Sequence, residues 1–207
     1  MITVGRFRQL EAELRERGYG RVIEWSETIA APANAEEFAE RSIYVICNSG
    51  MRVTVAAPIY TRCMEALKEL GSVNSVFGHA GKASAIDRIW EEREGLFAAF
   101  LGSDDQLGFL QTMPWIGPVT RHHLAKNLGA GQAKPDVHLQ RLARRNRTTV
   151  KRLCARLARQ TGYRAATIDT VLWRACADGI VDSAAYEANG WQAAVKPWRW
   201  QVPPRRT

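Results

Sequence analysis

Hydrophobic residues recur every three or four positions along most of the chain. This spacing runs through residues 5–17, 84–101, 120–128 and 167–176. It is typical of amphipathic helices, whereas a half-buried strand alternates apolar and polar residues. The one strand-like piece, residues 21–25, is too isolated to suggest a sheet. The pattern therefore predicts an all-α protein.

Further helices are predicted at residues 35–47 and 58–70, joined by a polar turn. This turn contains residues 48–51. Ser103 or Asp104 is expected to cap the helix that carries Leu107 and Leu110, because both side chains can accept from a free backbone N–H group.

A short turn joins two predicted helices within residues 107–129. Pro114, Gly117 and Pro118 supply dense turn signals, and Gly129 ends the second helix. So short a turn leaves backbone N–H groups and a helix N-terminus facing outward. Such an arrangement can bind a phosphate without any charged side chain. Asp136 follows this hairpin as a lone carboxylate and opens another apolar-periodic stretch.

The order of hairpin and aspartate resembles the helix-hairpin-helix DNA glycosylase superfamily, which includes endonuclease III and the 8-oxoguanine glycosylases. Residues 113–121 are similar to the family hairpin Leu-Pro-Gly-Val-Gly-x-Lys-Thr-Ala, and residues 135–139 to its Val-Asp-x-His-Val. Upstream, residues 78–86 resemble a glycine-turn-Lys-Ala-x-x-Ile segment, and residues 38–67 resemble the helix pair that supplies intercalating residues. The collinear matches cover residues 35–145, about half of the chain.

The resemblance implies the two-lobed helical fold of that superfamily, the HhH-GPD fold, over the whole chain. One lobe would comprise about residues 35–130 and end in the hairpin 107–129. The other lobe would combine residues 1–34 with residues 136–207.

Breaking the N-glycosidic bond of a nucleotide builds positive charge on the sugar as the base leaves. A nearby carboxylate stabilises that charge and can align a water nucleophile. Asp136 matches the family's catalytic aspartate, and capping the next helix is compatible with that role. Val119 stands where bifunctional members carry the lysine that forms a Schiff base with the sugar. Because valine is no nucleophile, the expected glycosylase is monofunctional.

The resemblance also implies residues that touch DNA. Trp115 stands where the family has glycine, and its indole either packs on a neighbouring helix or stacks on the DNA backbone. Residues 48–52 lie where family members plug the gap left by a flipped base. Gly50 in that turn equally suits an ordinary helix C-terminus. Phosphate contacts are expected from Pro114, Trp115, Ile116, Gly117, Val119 and Thr120, and base-pocket contacts from Asn48, Ser49, Met51, Lys134 and His138.

The chain carries a net charge of +8, and the positive charges are concentrated after the hairpin. No acidic residue lies between Asp136 and Asp169, whereas the same stretch holds nine Lys and Arg residues. Such a run is either a solvated helix face or a phosphate-binding surface, and its place beside the hairpin favours the second. DNA is therefore the expected partner. The predicted phosphate contacts are Arg144, Arg145, Lys151 and Arg152.

No metal, cofactor or membrane span is expected. The cysteines have no spacing typical of metal ligands, which excludes the iron–sulfur cluster of some family members and suggests buried thiols in a reducing compartment; they are Cys47, Cys63, Cys154 and Cys176. His122 and His123 are neighbours on a helix and point about 100° apart. The sequence thus favours a monomeric cytoplasmic enzyme, encoded by a bacterium or a phage.

Two other functions fit the same residues. Lys134-Pro135 before Asp136, together with the hairpin, is also similar to helix-hairpin-helix relatives in phages that hypermodify thymine. Those relatives are thought to transfer an amino acid onto activated 5-hydroxymethyluracil in DNA, so that the glycosidic bond survives. The second alternative is a DNA-binding helix-hairpin-helix protein without catalytic activity.

Overall fold

The computed structural model describes residues 1–51 and 53–195, and the protein is all-helical over this part of the chain. The predicted all-α class is confirmed. Arg52, part of the turn 48–52 expected to plug the gap left by a flipped base, lies outside the described residues, as does the tail 196–207. The helices are α1 (Val4–Leu14), α2 (Gly20–Thr28), α3 (Ala35–Asn48), α4 (Val53–Leu70), α5 (Ala80–Glu91), α6 (Arg93–Gly102), α7 (Gln106–Thr112), α8 (Thr120–Asn127), α9 (Val137–Arg145), α10 (Val150–Thr161), α11 (Ala165–Ala177), α12 (Ser183–Asn189) and α13 (Trp191–Ala194).

The chain divides into two compact units. The first unit combines Met1–Thr28 with the described residues from Pro135 onward, and the second unit is Ile29–Lys134. The hairpin between α7 and α8 belongs to the second unit, whereas Asp136 and the basic run belong to the first.

The strand-like interpretation of residues 21–25 is wrong, because this segment lies within α2. Ile23 and Ser26 are both buried and lie one helical turn apart. Burial of this helical face therefore outweighs the preference of the β-branched side chains for a strand. A π-helical turn at Arg15–Tyr19 precedes α2, and Gly18 inside it has a φ of 89°. This left-handed residue separates α1 from α2.

Three helix boundaries also differ from the prediction. The single helix expected over residues 84–101 is two helices, because the backbone leaves the helical conformation at Glu92, with ψ near 7°. Asp105, rather than Ser103 or Asp104, caps α7 by accepting from the N–H of Gly108 at 2.9 Å. Helix α4 begins at Val53 and carries Pro58 in its interior.

The core of the second unit fixes the position of the hairpin. Helix α3 packs against α4, α5, α6 and α8, and its Phe38 is fully buried. Leu110 on α7 and Leu124 on α8 are fully buried in the same core, one on each side of the turn. Ile116 inside the turn is buried as well. The hairpin is therefore anchored at both ends and in its middle.

The core of the first unit holds the helix that Asp136 begins. Helix α11 packs against α1, α2, α9 and α10. Leu139 and Leu142 on α9 are buried in this interior, as are Leu153 on α10 and Val171 on α11. Because two buried leucines lie within the first two turns of α9, the helix start is held firmly.

Candidate functional site

The turn between α7 and α8 is closed by a few backbone hydrogen bonds. The N–H of Ile116 donates to the carbonyl of Met113 at 3.1 Å, and the N–H of Arg121 donates to the carbonyl of Gly117 at 2.9 Å. These bonds define a tight connection whose inner side is apolar, since Met113 and Ile116 are both buried. The outer side of the turn is formed by Trp115 and by residues 117–120.

Three backbone donors at the start of α8 have no acceptor in the part of the chain that the structure describes. They are the N–H groups of Gly117, Val119 and Thr120. Val119 occupies the N-cap position and offers no side chain that could satisfy them. The positive end of the helix dipole lies at the same place, so an anion is favoured there. The predicted phosphate cradle thus has its donors available.

Trp115 adopts a backbone conformation that usually belongs to glycine. Its φ is 63°, and a left-handed conformation costs a residue with a Cβ atom about 1–2 kcal/mol. The indole lies edge-on to the His79 ring with the centroids 5.0 Å apart, and it covers Gly81 at the start of α5. It nevertheless stays 44% exposed. The indole is therefore packed on a neighbouring helix and still presents an aromatic face beside the hairpin.

Asp136 caps α9 and keeps one carboxylate oxygen free. Its Oδ1 accepts from the N–H of Leu139 at 3.0 Å, whereas Oδ2 has no partner among the described residues. The side chain is half-buried. The charge of Asp136 also acts on the buried thiol of Cys176. Burial, followed by the charges of Asp136 and Asp182, raises the pKa of this thiol to about 12. One oxygen thus orients the carboxylate, and the other is available to a ligand.

The two basic residues beside Asp136 in the sequence have different surroundings. The Nδ1 atom of His138 lies 2.9 Å from the hydroxyl of Ser183, at the start of α12, so this ring is engaged within the first unit. Lys134 belongs to the second unit, where its charge acts on His123. Burial, followed by the charges of Lys134 and Lys126, holds the pKa of His123 well below its ordinary value.

The turn after α3 has the geometry of a helix C-terminus. Asn48 donates from Nδ2 to the carbonyl of Tyr44 at 2.8 Å, and Gly50 has a φ of 74°. The hydroxyl of Ser49 donates to the carbonyl of Ile46 at 2.8 Å. The backbone N–H of Met51 donates to the carbonyl of Asn48 at 3.2 Å. Capping therefore uses part of the hydrogen-bonding capacity assigned above to a flipped base.

Lys82 supports this turn, and sequence reasoning did not single it out. Its ammonium group donates to the carbonyl of Ser49 at 2.6 Å, and only 5% of the residue is exposed. Burial lowers the pKa of Lys82. Its place in the glycine-turn-Lys-Ala segment was the available signal. The partner carbonyl stands 33 residues earlier, and no local pattern points to it.

The basic run separates into two groups of side chains. Arg144 pairs with Glu187, whereas Arg156 and Arg164 donate to main-chain carbonyls of Ile2 and Glu27. These arginines tie the first unit together.

By contrast, the exposed side chains of Lys151 and Arg152 have no hydrogen-bond or ion-pair partner among the described residues. They occupy the first turn of α10, where the helix dipole disfavours positive charge. Among the described residues, Arg145 bonds to the carbonyl of Ala188 alone, at 3.3 Å.

Histidines and cysteines form no candidate metal centre within residues 1–51 and 53–195. Burial and the nearby charge of Arg121 lower the pKa of His122, and the Nδ1 atom of this ring is buried without a partner in the same part of the chain. All four cysteines are buried. Among the helices described, none is long and apolar enough to cross a membrane.

Comparisons of the chain with protein-family models, curated proteins and solved structures found no match. The resemblance to helix-hairpin-helix glycosylases therefore rests on the hairpin, the spaced aspartate and the upstream segments quoted above.

Proposed function

We propose that the protein is a monofunctional DNA glycosylase that hydrolyses the bond between a flipped base and its sugar. The observation that carries the proposal is the carboxylate of Asp136, which uses Oδ1 to cap α9 and leaves Oδ2 without a partner among the described residues. A carboxylate held in this way has a fixed orientation and a free oxygen. Both properties suit a group that stabilises a sugar cation and aligns water.

The absence of a lyase step follows from the side chain at the seventh position of the hairpin. Val119 is 40% exposed, so this position is accessible to a ligand, but valine has no nucleophilic atom. Covalent attack on the sugar requires an amine at this place in the resembled family. Strand cleavage through a Schiff base at this position is therefore not part of the proposal.

Support for DNA as the partner comes from two features with different chemistry. The N–H donors of Gly117, Val119 and Thr120, which have no acceptor among the described residues, suit one backbone phosphate. Lys151 and Arg152 add exposed positive charge that no described carboxylate neutralises. Counterion release from such contacts gives affinity that depends on salt and hardly on sequence.

The proposal is tested by incubating the protein with duplexes that contain uracil, alkylated purines, 8-oxoguanine or 5-hydroxymethyluracil. We expect a free base in the supernatant and strand breaks that appear only after treatment with alkali. Breaks without alkali would contradict the monofunctional mechanism. Inactivity on the whole panel would contradict glycosylase activity.

Mass spectrometry of the digested DNA separates excision from base transfer. Excision removes a nucleoside and leaves an abasic site, whereas transfer produces a heavier nucleoside with its glycosidic bond intact. We expect the abasic product. A heavier nucleoside, formed when an activated hydroxymethyluracil substrate and an amino acid are supplied, would replace the proposed function by a transferase.

A further inference from the structure

The first unit carries a basic surface groove at the end of α9. The groove has a volume of about 510 Å³ and is lined by Arg144, Arg145, Arg147 and Glu187. Three arginines and one glutamate thus line the same space. This lining suits an anion, and it offers donors that can bind more than one oxygen at a time.

Glu187 already binds one of these arginines through both carboxylate oxygens, as a phosphate can through two of its oxygens. Its Oε1 lies 2.6 Å from Nε of Arg144 and its Oε2 lies 3.4 Å from Nη2, so the guanidinium fork holds both oxygens. Carboxylates and phosphates are the two groups whose geometry this fork matches. Nε of Arg141 lies 3.8 Å from Oε2 of Glu187 and provides a second positive charge. The carboxylate would keep this partner if Arg144 turned away.

The other two arginines still have donors to offer. Arg147 is exposed, and its guanidinium has no partner within the described residues. Arg145 donates to the carbonyl of Ala188 at 3.3 Å and lies so close to Gly190 that a Cβ atom there would come within 3.3 Å of Nη2. Arg145 is therefore held beside the groove by one weak bond. Each of its remaining N–H groups can serve an anion.

Neighbouring charges make this corner of the unit strongly positive. Burial raises the pKa of the Tyr186 hydroxyl, while the hydrogen bond from Asn146 and the charges of Arg6, Arg145 and Arg156 act in the opposite direction. Several guanidinium groups thus act on one hydroxyl on α12. A single carboxylate, that of Glu187, lines the groove beside them.

We propose that this groove binds a phosphate of the DNA backbone and that the phosphate displaces Glu187 from Arg144. Glu187 then acts as an internal competitor that lowers the affinity for DNA. The exchange costs little, because both partners of the ion pair are partly exposed and such pairs stabilise a protein only weakly. The inference rests on the proposed function, since it takes the bound phosphate from DNA.

The first test compares Glu187→Gln with the wild-type protein in titrations of a labelled duplex at several salt concentrations. Glu187→Gln removes the competitor, so the affinity should rise by up to about five-fold at every salt concentration, the worth of an exposed ion pair. The log–log salt dependence should keep its slope, because Arg144 contacts the phosphate in both proteins. Arg147→Gln should instead flatten the dependence by about 0.9, the worth of one phosphate contact. Glu24→Gln is the matched control, because it removes one carboxylate from the same unit and that carboxylate pairs with Arg15.

The second test repeats Glu187→Gln in an Arg144→Ala background. We expect the gain in affinity to disappear, because the competitor no longer has a guanidinium to release. A gain that persists would show that the lost negative charge alone is responsible, and it would overturn the competition. Wild-type affinity in Glu187→Gln, with a lower melting temperature, would make the pair a structural tie. A wild-type protein that bound no DNA at low salt would instead overturn the proposed function.

Discussion

The indole of Trp115 covers Gly81 so closely that a Cβ atom at Gly81 would come within 2.7 Å of Cζ3. Trp115 has a φ of 63°, and the resembled family has glycine at its position. The indole of this hairpin is therefore accommodated by the absence of a side chain at Gly81 on α5. The two positions lie 34 residues apart in the chain, and their fit determines the shape of the hairpin's outer side.

Gly81→Ala is expected to destabilise the protein because the new methyl group meets the indole. Overpacking of this kind costs about 1–3 kcal/mol. Gly95→Ala is the matched control, since Gly95 also lies in a helix but has no atom within 4 Å of the added Cβ. Removing a helical glycine there should stabilise by about 0.5–1 kcal/mol. Urea unfolding of both variants measures the contrast.

In a Trp115→Gly background, Gly81→Ala should become as favourable as Gly95→Ala. The effect of Gly81→Ala on the free energy of unfolding thus changes sign between the two backgrounds. The difference between the two values measures the coupling between Gly81 and Trp115. If Gly81→Ala proved stabilising in the wild-type background as well, the close packing of the indole on α5 would be contradicted.

Gly117 provides a test of the phosphate cradle. A Cβ atom there meets no atom within 4 Å, so alanine fits without moving the backbone, and the side chain of glutamate starts from the same open position. Gly117→Ala should bind DNA like the wild type, whereas Gly117→Glu places a negative charge in front of the unpaired N–H groups. We expect a loss of about ten-fold at 0.1 M salt, the worth of about one phosphate contact. Equal losses of DNA affinity in both variants would show that the shape of the backbone, and not the charge, determines binding at the turn.

The sequence predicts the helices of this protein better than their boundaries. Apolar periodicity reports which face is buried, and that face continues through the break at Glu92 between α5 and α6. It therefore could not separate the two helices. In α2, the β-branched pair Val22-Ile23 suggested a strand, although Ile23 and Ser26 together form a buried helical face.

The candidate site is predictable only where its chemistry is local. The hairpin and the helix cap at Asp136 each depend on residues that are close in the sequence, and the structure contains both. The ion pair of Arg144 with Glu187 joins residues 43 positions apart. No local pattern indicates such a partner. The sequence therefore does not distinguish the basic side chains that pair within the protein, such as Arg144, from those that remain available to a phosphate.

Lys151 and Arg152 should favour DNA binding at the expense of stability. Both lie in the first turn of α10, where positive charge opposes the helix dipole. Replacing both with Ala should leave the melting temperature unchanged or raise it, while flattening the salt dependence of DNA binding by up to about 1.8. Arg156→Ala is the contrasting variant, because Arg156 donates to the carbonyl of Ile2 and its loss should destabilise. Unchanged DNA binding in the double variant would remove α10 from the interface.

Glu11 should make the protein sensitive to acid. Burial raises the pKa of this carboxyl, but hydrogen bonds from Tyr163, Arg8 and Arg15 outweigh burial and bring the pKa below its usual 4.5. The folded state therefore binds the proton less readily than the unfolded chain. This stabilisation is present above about pH 4.5 and is lost as the pH falls through the lower, folded value.

Glu11→Gln tests this expectation through urea unfolding between pH 7 and pH 3. The variant should lose about 1–3 kcal/mol at pH 7, because a buried hydrogen-bonded network loses its charge. Its stability should also fall less steeply below pH 4.5. A wild-type profile that stays flat down to pH 3, or a variant with the same slope, would contradict the role of Glu11.

In the proposed glycosylase, the charge of Asp136, and not only its helix cap, serves the reaction. Asparagine caps helices as well as aspartate does, so Asp136→Asn keeps the bond from Leu139 and removes the charge. Asp136→Ala loses both and should cost about 1 kcal/mol of stability.

The most direct measurement is the single-turnover excision rate of Asp136→Asn on the lesion duplex that the wild-type protein processes best, taken together with its melting temperature. We predict an unchanged melting temperature and a rate reduced by about 10²–10³, the usual loss when electrostatic stabilisation of a transition state is removed. A rate equal to that of the wild type would contradict the account.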